Sequence, residues 1–194
     1  MSRAIAVGVL GVLAALSGSA QAGEDWMLRF RAAVVAPDAS SSPVAGVDAD
    51  SSFSPEVDLT YFFTKNIAVE AIAATTRHEV SLNGADLGKV SVLPPTVTLQ
   101  YHFNPEGTVR PYVGAGVNYT RFYNVDLVAP LDVERNSWGA AFQVGVDFKV
   151  GANSYINLDA KKIYLETDVS NAGAYLTTLE LDPWVFGIGY GFRF

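Results

Sequence analysis

The sequence contains no cysteine among its 194 residues, which excludes disulfide bonds and thiolate metal sites. Basic residues are also scarce, with 13 lysines and arginines against 20 aspartates and glutamates and a formal charge of -7. This balance excludes the basic surface that a nucleic-acid-binding protein needs. Phosphate-loop and zinc-protease motifs are missing as well. We therefore expect no cofactor, no metal and no nucleic-acid partner.

Long hydrophobic runs are lacking too, because no segment after the N-terminus approaches the 18 apolar residues of a membrane-spanning helix. The N-terminus itself combines Arg3, an apolar run over residues 4–16 and the small-residue motif AQA at residues 20–22. These are the three parts of a secretory signal peptide. The sequence predicts a cleaved signal peptide over residues 1–22 and one exported domain over residues 23–194.

Hydrophobic residues nevertheless make up 49% of the chain, and they alternate with small or polar residues. The last segment, WVFGIGYGFRF, places a large apolar residue at every second position from Trp184 to Phe194. Alternation of this kind indicates β-strands rather than helices. The same pattern predicts eight strands, each about as long as a tilted membrane strand: 26–36, 54–63, 67–75, 96–103, 110–120, 137–150, 155–166 and 184–194.

The connections between these segments alternate in length. Three are short, over residues 64–66, 104–108 and 151–154, and four are long, over residues 37–53, 76–95, 121–136 and 167–181. Short turns on one side and long loops on the other are typical of outer-membrane barrels. We therefore predict an all-β, eight-stranded antiparallel transmembrane barrel, with short periplasmic turns, long extracellular loops and its apolar face against lipid. The Ser/Asp-rich residues 37–52 are interpreted as a solvated loop.

The inward positions of this barrel divide by depth. Charged residues, five of each sign, lie from mid-barrel to the periplasmic end, and we expect a plug of buried ion pairs from them: Arg29, Arg31, Glu56, Asp58, Glu70, Asp147, Lys149, Asp159, Lys161 and Arg193. Apolar residues lie nearer the long loops and predict a hydrophobic pocket: Ala33, Val35, Ile72, Ala74, Ala141, Ile163, Leu165 and Val185.

A plug below a pocket forces a bound solute to leave sideways through the wall. Proline cannot donate a backbone hydrogen bond, so Pro94, Pro95 and Pro183 are the places where strand pairing would be weakest. The alternative interpretation is that the ionic plug only fills a narrow barrel and that the prolines only terminate strands.

Four stretches, residues 93–103, 110–120, 137–148 and 181–194, resemble the OmpW family of small outer-membrane proteins, which includes the alkane-uptake protein AlkL. The resemblance extends from Trp26 to Phe194. It implies uptake of small hydrophobic molecules and their release sideways into the membrane. The pocket floor in that family commonly involves an apolar pair, whereas Lys161 occupies one of those places here, so an ion pair with Glu70 or Asp159 is expected instead.

An outer-membrane channel of a Gram-negative bacterium would have outer-membrane lipid, lipopolysaccharide, small hydrophobic solutes and the outer-membrane assembly machinery as partners. We do not expect an enzyme, because His78 and His102 fall at opposite ends of the barrel and His78 and Glu79 point to opposite faces of one strand. The alternative function is a structural, adhesion or phage-receptor barrel. A continuous apolar pocket above the charged layer would discriminate in favour of transport.

Overall fold

A computed structural model describes residues 25–128 and 130–194, so the predicted signal peptide lies outside the described residues. The described chain folds into fifteen β-strands: β1 (Trp26–Ala36), β2 (Ser40–Ser42), β3 (Val47–Ala49), β4 (Ser52–Phe62), β5 (Ile67–Ala74), β6 (Thr76–Leu82), β7 (Ala85–Leu93), β8 (Thr96–His102), β9 (Val109–Leu127), β10 (Leu131–Val133), β11 (Asn136–Lys149), β12 (Ser154–Ile163), β13 (Glu166–Asn171), β14 (Ala174–Glu180) and β15 (Trp184–Arg193). Within those two ranges, no helix is long and apolar enough to cross a membrane.

Eight of these strands close into the predicted antiparallel barrel, in the order β1, β4, β5, β8, β9, β11, β12 and β15. The first and last strands meet along their whole length, from Met27 opposite Arg193 to Ala36 opposite Trp184. The closed sheet leaves no unpaired edge, which is the condition for a sheet to lie in hydrocarbon. The three short connections are confirmed between β4 and β5, β8 and β9, and β11 and β12.

The lipid face follows the predicted alternation. Along β15 the even-numbered residues from Trp184 to Phe192, together with Phe194, are 43–57% exposed, whereas Val185 between them is 5% exposed. Aromatic side chains collect at both rims of this face. At the short-turn end the rings of Trp26 and Tyr61 are 4.7 Å apart, and at the other end those of Tyr119 and Trp138 are 4.8 Å apart. Such aromatic girdles mark the two membrane interfaces.

The long connections are not loops, and this corrects the sequence analysis. Residues 76–93 form the hairpin of β6 and β7, which extends the barrel wall and pairs with an extended β9 and with β3. A second, four-stranded sheet joins β10, β13, β14 and β2. The interpretation of residues 37–52 as a solvated loop was wrong, because they form β2 and β3 and bury Val47 and Ala49. The extracellular half is therefore a walled extension of the barrel.

The two halves of the barrel enclose different kinds of side chain. The extracellular half encloses a cluster of buried aliphatic and aromatic side chains that includes Ala33, Val90, Phe122, Ile163 and Leu179. The half next to the short turns encloses charged and amide side chains that are almost completely buried. The boundary between these interiors lies across the lumen at Glu56 and Lys161, and it positions the candidate site.

Candidate functional site

The charged layer is organised around Arg29, whose side chain is fully buried. Its guanidinium forms a bidentate pair with Asp147, with Nη2–Oδ2 and Nε–Oδ1 distances of 2.9 and 3.2 Å. Nη1 lies 3.0 Å from Asp58 Oδ1 and 3.2 Å from Glu70 Oε1, and it donates to Thr60 Oγ1 at 2.8 Å. One arginine on β1 thus joins β4, β5 and β11 across the lumen. The planar five-donor fork of arginine allows this, whereas lysine would not.

Arg31 forms the next level, toward the extracellular side. Nη1 donates to Glu56 Oε1 at 2.6 Å, Nη2 donates to Glu70 Oε1 at 2.8 Å, and Nε donates to Asn157 Oδ1 at 2.7 Å. The inward glycines of β15 make room for this side chain, since a Cβ atom at Gly189 would lie 2.6 Å from Arg31 Cγ and 2.4 Å from a backbone oxygen of β1.

Glu70 is held from both sides of its carboxylate. Both arginines contact Oε1, while Gln100 and Gln143 donate to Oε2 at 2.7 and 2.9 Å. Thr98 adds a weaker contact at 3.3 Å. A fully buried carboxylate with all these partners is stable only as part of the network, because a buried charge without partners is very costly.

Lys161 forms the top of the layer. Its Nζ atom lies 2.9 Å from Glu56 Oε1 and 2.5 Å from Asp159 Oδ1. Asp159 was one of the two partners expected from the sequence, and Glu70 was the other, but the arginines hold Glu70 instead. Because β12 and β4 are separated in the sheet by β15 and β1, the Lys161–Glu56 pair crosses the lumen.

Two predicted members of the plug lie outside it. Lys149 is exposed at the end of β11, and Arg193 is half-buried, with its guanidinium carbon 4.1 Å from the centre of the Phe62 ring. Both lie at the last positions of their strands, where a long side chain reaches the periplasmic water. Of the ten predicted residues, three cations and five carboxylates are buried in the layer, so the expected equal numbers were wrong. Arg110 is a fourth buried cation, near the short turns, where its Nη1 donates to the Tyr155 hydroxyl at 2.9 Å.

Above the layer, the extracellular half contains a cavity of about 280 Å³. Seven of the eight predicted pocket residues line it: Ala33, Val35, Ile72, Ala74, Ile163, Leu165 and Val185. The eighth, Ala141, is buried in the surrounding hydrophobic cluster but does not line the cavity. The floor contains Glu56 and Lys161, the only charged side chains among the described residues of the lining.

Several functional residues escaped the sequence analysis. The upper wall of the cavity comes from the extended strands and includes Val47, Val90, Phe122 and Leu179. In the charged layer, Tyr112 was missed: it is 1% exposed and its hydroxyl donates to Asp159 Oδ2 at 2.8 Å. Tyr112 alternates with outward residues on β9 and therefore lies on the inward face. This alternation was the sequence signal that could have identified it.

The barrel wall beside the cavity is interrupted at Pro94 and Pro95. Strand β5 pairs with β8 as far as Ile72 opposite Thr96, and pairing resumes with Thr76 of β6 opposite Val92 of β7. The register is the same on both sides, but residues 73–75 and 93–95, all within the described chain, form no backbone pairs with each other. We call this interruption the wall gap. Ala74 and Pro94, which face each other across it, both line the cavity.

Other hydrogen bonds hold in place the residues on both sides of the wall gap. Thr75 Oγ1 lies 2.7 Å from the Tyr123 hydroxyl, and Ser54 Oγ donates to the Thr75 carbonyl at 3.1 Å. On the β9 side, the Tyr119 amide donates to the Pro95 carbonyl at 2.9 Å. The break therefore lies between β5–β6 and β7–β8, where Pro94 would have to bond Ala74 and has no amide hydrogen to donate. The hydrogen-bonding side of Pro95 faces β9 instead.

Pro183 does not produce a similar break. The Ile163 amide donates to the Pro183 carbonyl at 3.1 Å, and the Leu181 amide donates to the Leu165 carbonyl at 2.9 Å. Lys162 Nζ also donates to the Asp182 carbonyl at 2.6 Å. The wall at Pro183 stays bonded because its carbonyl still accepts, so the expected weakening there was wrong.

The two histidines are held separately by local hydrogen bonds. His78 lines the cavity, with Nδ1 2.7 Å from the Asp50 carbonyl and Nε2 2.9 Å from Thr76 Oγ1. His102 lies near the short turns, bonds Gln100 at 2.9 Å and stacks on Tyr112. Each histidine ring is therefore positioned by hydrogen bonds to neighbouring groups, and the two rings do not contact each other.

Together, a closed eight-stranded barrel, aromatic girdles at two rims and an ionic layer below an apolar cavity define an integral protein of the Gram-negative outer membrane. The model of the OmpW family matches residues 21–194, and the chain belongs to that family.

Individual relatives agree with this assignment. The chain is 42% identical over 197 residues to the uncharacterized outer-membrane protein y4mB of Sinorhizobium fredii, covering 94% of this chain and 86% of that protein. It is 33% identical to the dibenzothiophene metabolism operon protein PahQ of Pseudomonas aeruginosa, covering 87% and 88%. The crystal structure of the outer membrane protein OprG from Pseudomonas aeruginosa superposes with a TM-score of 0.75 and 29% identity, covering 88% of this chain and 95% of that one.

Proposed function

We propose that the protein is a passive channel, not an enzyme, that takes up small hydrophobic molecules across the outer membrane. The observation that carries the proposal is the apolar cavity above the charged layer and directly beside the wall gap. A solute would enter from the lipopolysaccharide side, bind in the cavity and leave between Ala74 and Pro94 into the bilayer.

The charged layer makes the sideways route necessary. Arg29, Glu70 and Asp147 are at most 1% exposed and fill the lumen below the cavity. An apolar solute moving straight toward the periplasm would have to separate ion pairs without replacing their hydrogen bonds, and each broken buried pair costs about 3–5 kcal/mol. The route through the wall gap crosses no backbone pair, so it avoids this cost.

The cavity can bind an alkyl chain by hydrophobic contact alone. Its walls are aliphatic at Val35, Ile163, Leu165 and Val185, and each buried methylene contributes about 0.8 kcal/mol. The name of the relative PahQ associates that protein with metabolism of dibenzothiophene, an aromatic hydrophobic compound, and this supports the same class of substrate here. The alternative, a purely structural or adhesion barrel, gives no reason for a cavity in this half.

Two adjacent alanines on β5 provide a matched test. Ala74 lines the cavity, whereas Ala73 has the opposite, outward parity of the strand. A phenylalanine at position 74 would occupy the cavity next to the wall gap, and the same residue at position 73 would enter lipid. We expect Ala74→Phe to abolish uptake of a labelled alkane into cells, and Ala73→Phe to retain it, at equal surface levels. Equal uptake by both variants, or no uptake by the wild type, would contradict the proposal.

A further inference from the structure

The floor of the cavity carries hydrogen-bonding capacity that the protein itself does not use. Glu56 Oε1 accepts from both Arg31 and Lys161, but Glu56 Oε2 has no hydrogen-bond partner within the described chain. The side chain is only 3% exposed. Since Glu56 lines the cavity, the unpartnered oxygen has the cavity as its accessible surroundings.

The other polar groups of the lower lining have partners within the protein. Ser54 Oγ donates to the Thr75 carbonyl, Thr96 Oγ1 donates to the Pro94 carbonyl at 3.0 Å, and Thr76 bonds His78. In the lower lining, Glu56 Oε2 is therefore the side-chain oxygen without any hydrogen-bond partner, and it lies at the base of a cavity whose upper walls are aliphatic.

From this arrangement we infer that the cavity binds amphipathic molecules with an alkyl body and a terminal hydroxyl group, oriented with the hydroxyl donating to Glu56 Oε2. This inference rests on the proposed function and names its substrate class. A hydroxyl group supplies the donor that a carboxylate lacks. A carboxylate-ended molecule does not fit, because it has no proton to donate and would bring a second negative charge against the carboxylate of Glu56.

The size of the effect follows from the charge of the acceptor. A buried hydrogen bond to a charged group adds enough free energy to change affinity by about tenfold or more. An alkane of the same length forfeits this contribution and keeps only the hydrophobic contacts. The preference for alcohol over alkane therefore depends on Glu56, whereas binding of the alkane does not.

A binding experiment with three matched probes tests the inference. The full chain is folded into nanodiscs with isotope-labelled isoleucine methyl groups, and the Ile72 signal is followed while octan-1-ol, nonane or octyl methyl ether is added to equal concentrations in the bilayer. Octan-1-ol and nonane have the same number of heavy atoms, and the ether lacks the hydroxyl proton. We expect octan-1-ol to saturate the signal at an about tenfold lower concentration than the other two probes.

The double variant Glu56→Leu/Lys161→Met removes one charge of each sign from the floor. Arg31 keeps its bonds to Glu70 and Asn157, and Asp159 keeps the bonds that it accepts from Tyr112 and Gln143. It should lose the preference, so that octan-1-ol and nonane saturate the Ile72 signal at similar concentrations. Equal preference in both proteins, or ether binding as tightly as alcohol in the wild type, would overturn the inference and leave the channel intact. If none of the probes shifts Ile72 in the wild type, the proposed function itself is contradicted.

Discussion

Replacing Arg29 by methionine is the most severe single test of the charged layer. The side chain is fully buried on β1 and contacts Asp58, Glu70 and Asp147, with a further hydrogen bond to Thr60. Methionine keeps much of the length and removes the charge and every donor. The variant therefore isolates the electrostatic role of the guanidinium.

The charge count sets the expected magnitude. The lower half of the barrel buries four cations, Arg29, Arg31, Arg110 and Lys161, and five carboxylates, so loss of Arg29 leaves three cations for the same five. Asp147 loses both bonds of its bidentate pair and keeps only the 2.8 Å contact from Asn157. Removing one partner from a buried ion pair costs about 3–5 kcal/mol, and we expect a free energy of unfolding lower by that amount.

Glu70→Gln is the matched comparison. It also removes one charge from the centre of the layer, but it moves the count toward balance and keeps a side chain of the same shape. We expect a cost of roughly 1–3 kcal/mol from its weakened hydrogen bonds. Removing a positive charge from the layer is thus predicted to cost more stability than removing a negative one.

Urea-induced unfolding of the protein folded in lipid vesicles, followed by tryptophan fluorescence and by the mobility of the folded band on unheated gels, measures both costs. The unfolding midpoint should fall clearly further for Arg29→Met than for Glu70→Gln. Equal shifts, or a cost for Arg29→Met below about 1 kcal/mol, would show that water screens these charges as it does on a protein surface.

Two further predictions concern packing and assembly. A Cβ atom at Gly145 would lie 2.3 Å from Cζ of the Tyr112 ring, whereas at Gly114 the nearest atoms are 3.2 Å away. Gly145→Ala should therefore lower the free energy of unfolding in urea by about 1–3 kcal/mol, and by more than Gly114→Ala does. Equal stability of the two variants would refute the packing argument. The C-terminal Phe194, which exchanges backbone hydrogen bonds of 2.8 and 3.0 Å with Trp26, is also proposed as part of the signal read by the assembly machinery. Its deletion should lower the amount of protein at the cell surface, Phe194→Ala should do the same although it keeps both backbone bonds, and normal surface levels after deletion would contradict this role.

The barrel itself could be predicted from the sequence because its signal is repeated. On β15, the outward residues are all large and apolar, whereas the inward residues are Val185, three glycines and Arg193. Membrane strands of this length leave little ambiguity in register. The wall gap was predictable for a chemical reason as well, since Pro94 removes the donor that would face Ala74. The same reasoning failed at Pro183, where the carbonyl continues the ladder.

The extracellular extension could not be predicted in the same way. Strands β2 and β3 have three residues each, and the apolar members Val47 and Ala49 are too few to establish a period. Their pairing with β14 and β6 depends on partners that are distant in sequence. The alternation of residues along a strand also gives no information on how deep in the membrane a residue lies. Lys149 and Arg193 were therefore assigned to the buried layer, although they lie at its periplasmic edge.

The central claim is that solutes leave the cavity through the wall gap. A reversible disulfide bond across the gap, called here a staple, tests this claim most directly. The chain has no native cysteine, so Thr75→Cys/Leu93→Cys would introduce one disulfide across the gap on its lipid side. Directly opposite residues in an antiparallel sheet are close enough for such a bond. Ala71→Cys/Val97→Cys, at an existing pair of the same type four residues away, is the matched control. Uptake of a labelled alkane should stop when the gap staple is oxidised, return on reduction and stay unchanged with the control staple, whereas undiminished uptake through an oxidised gap staple would contradict the account.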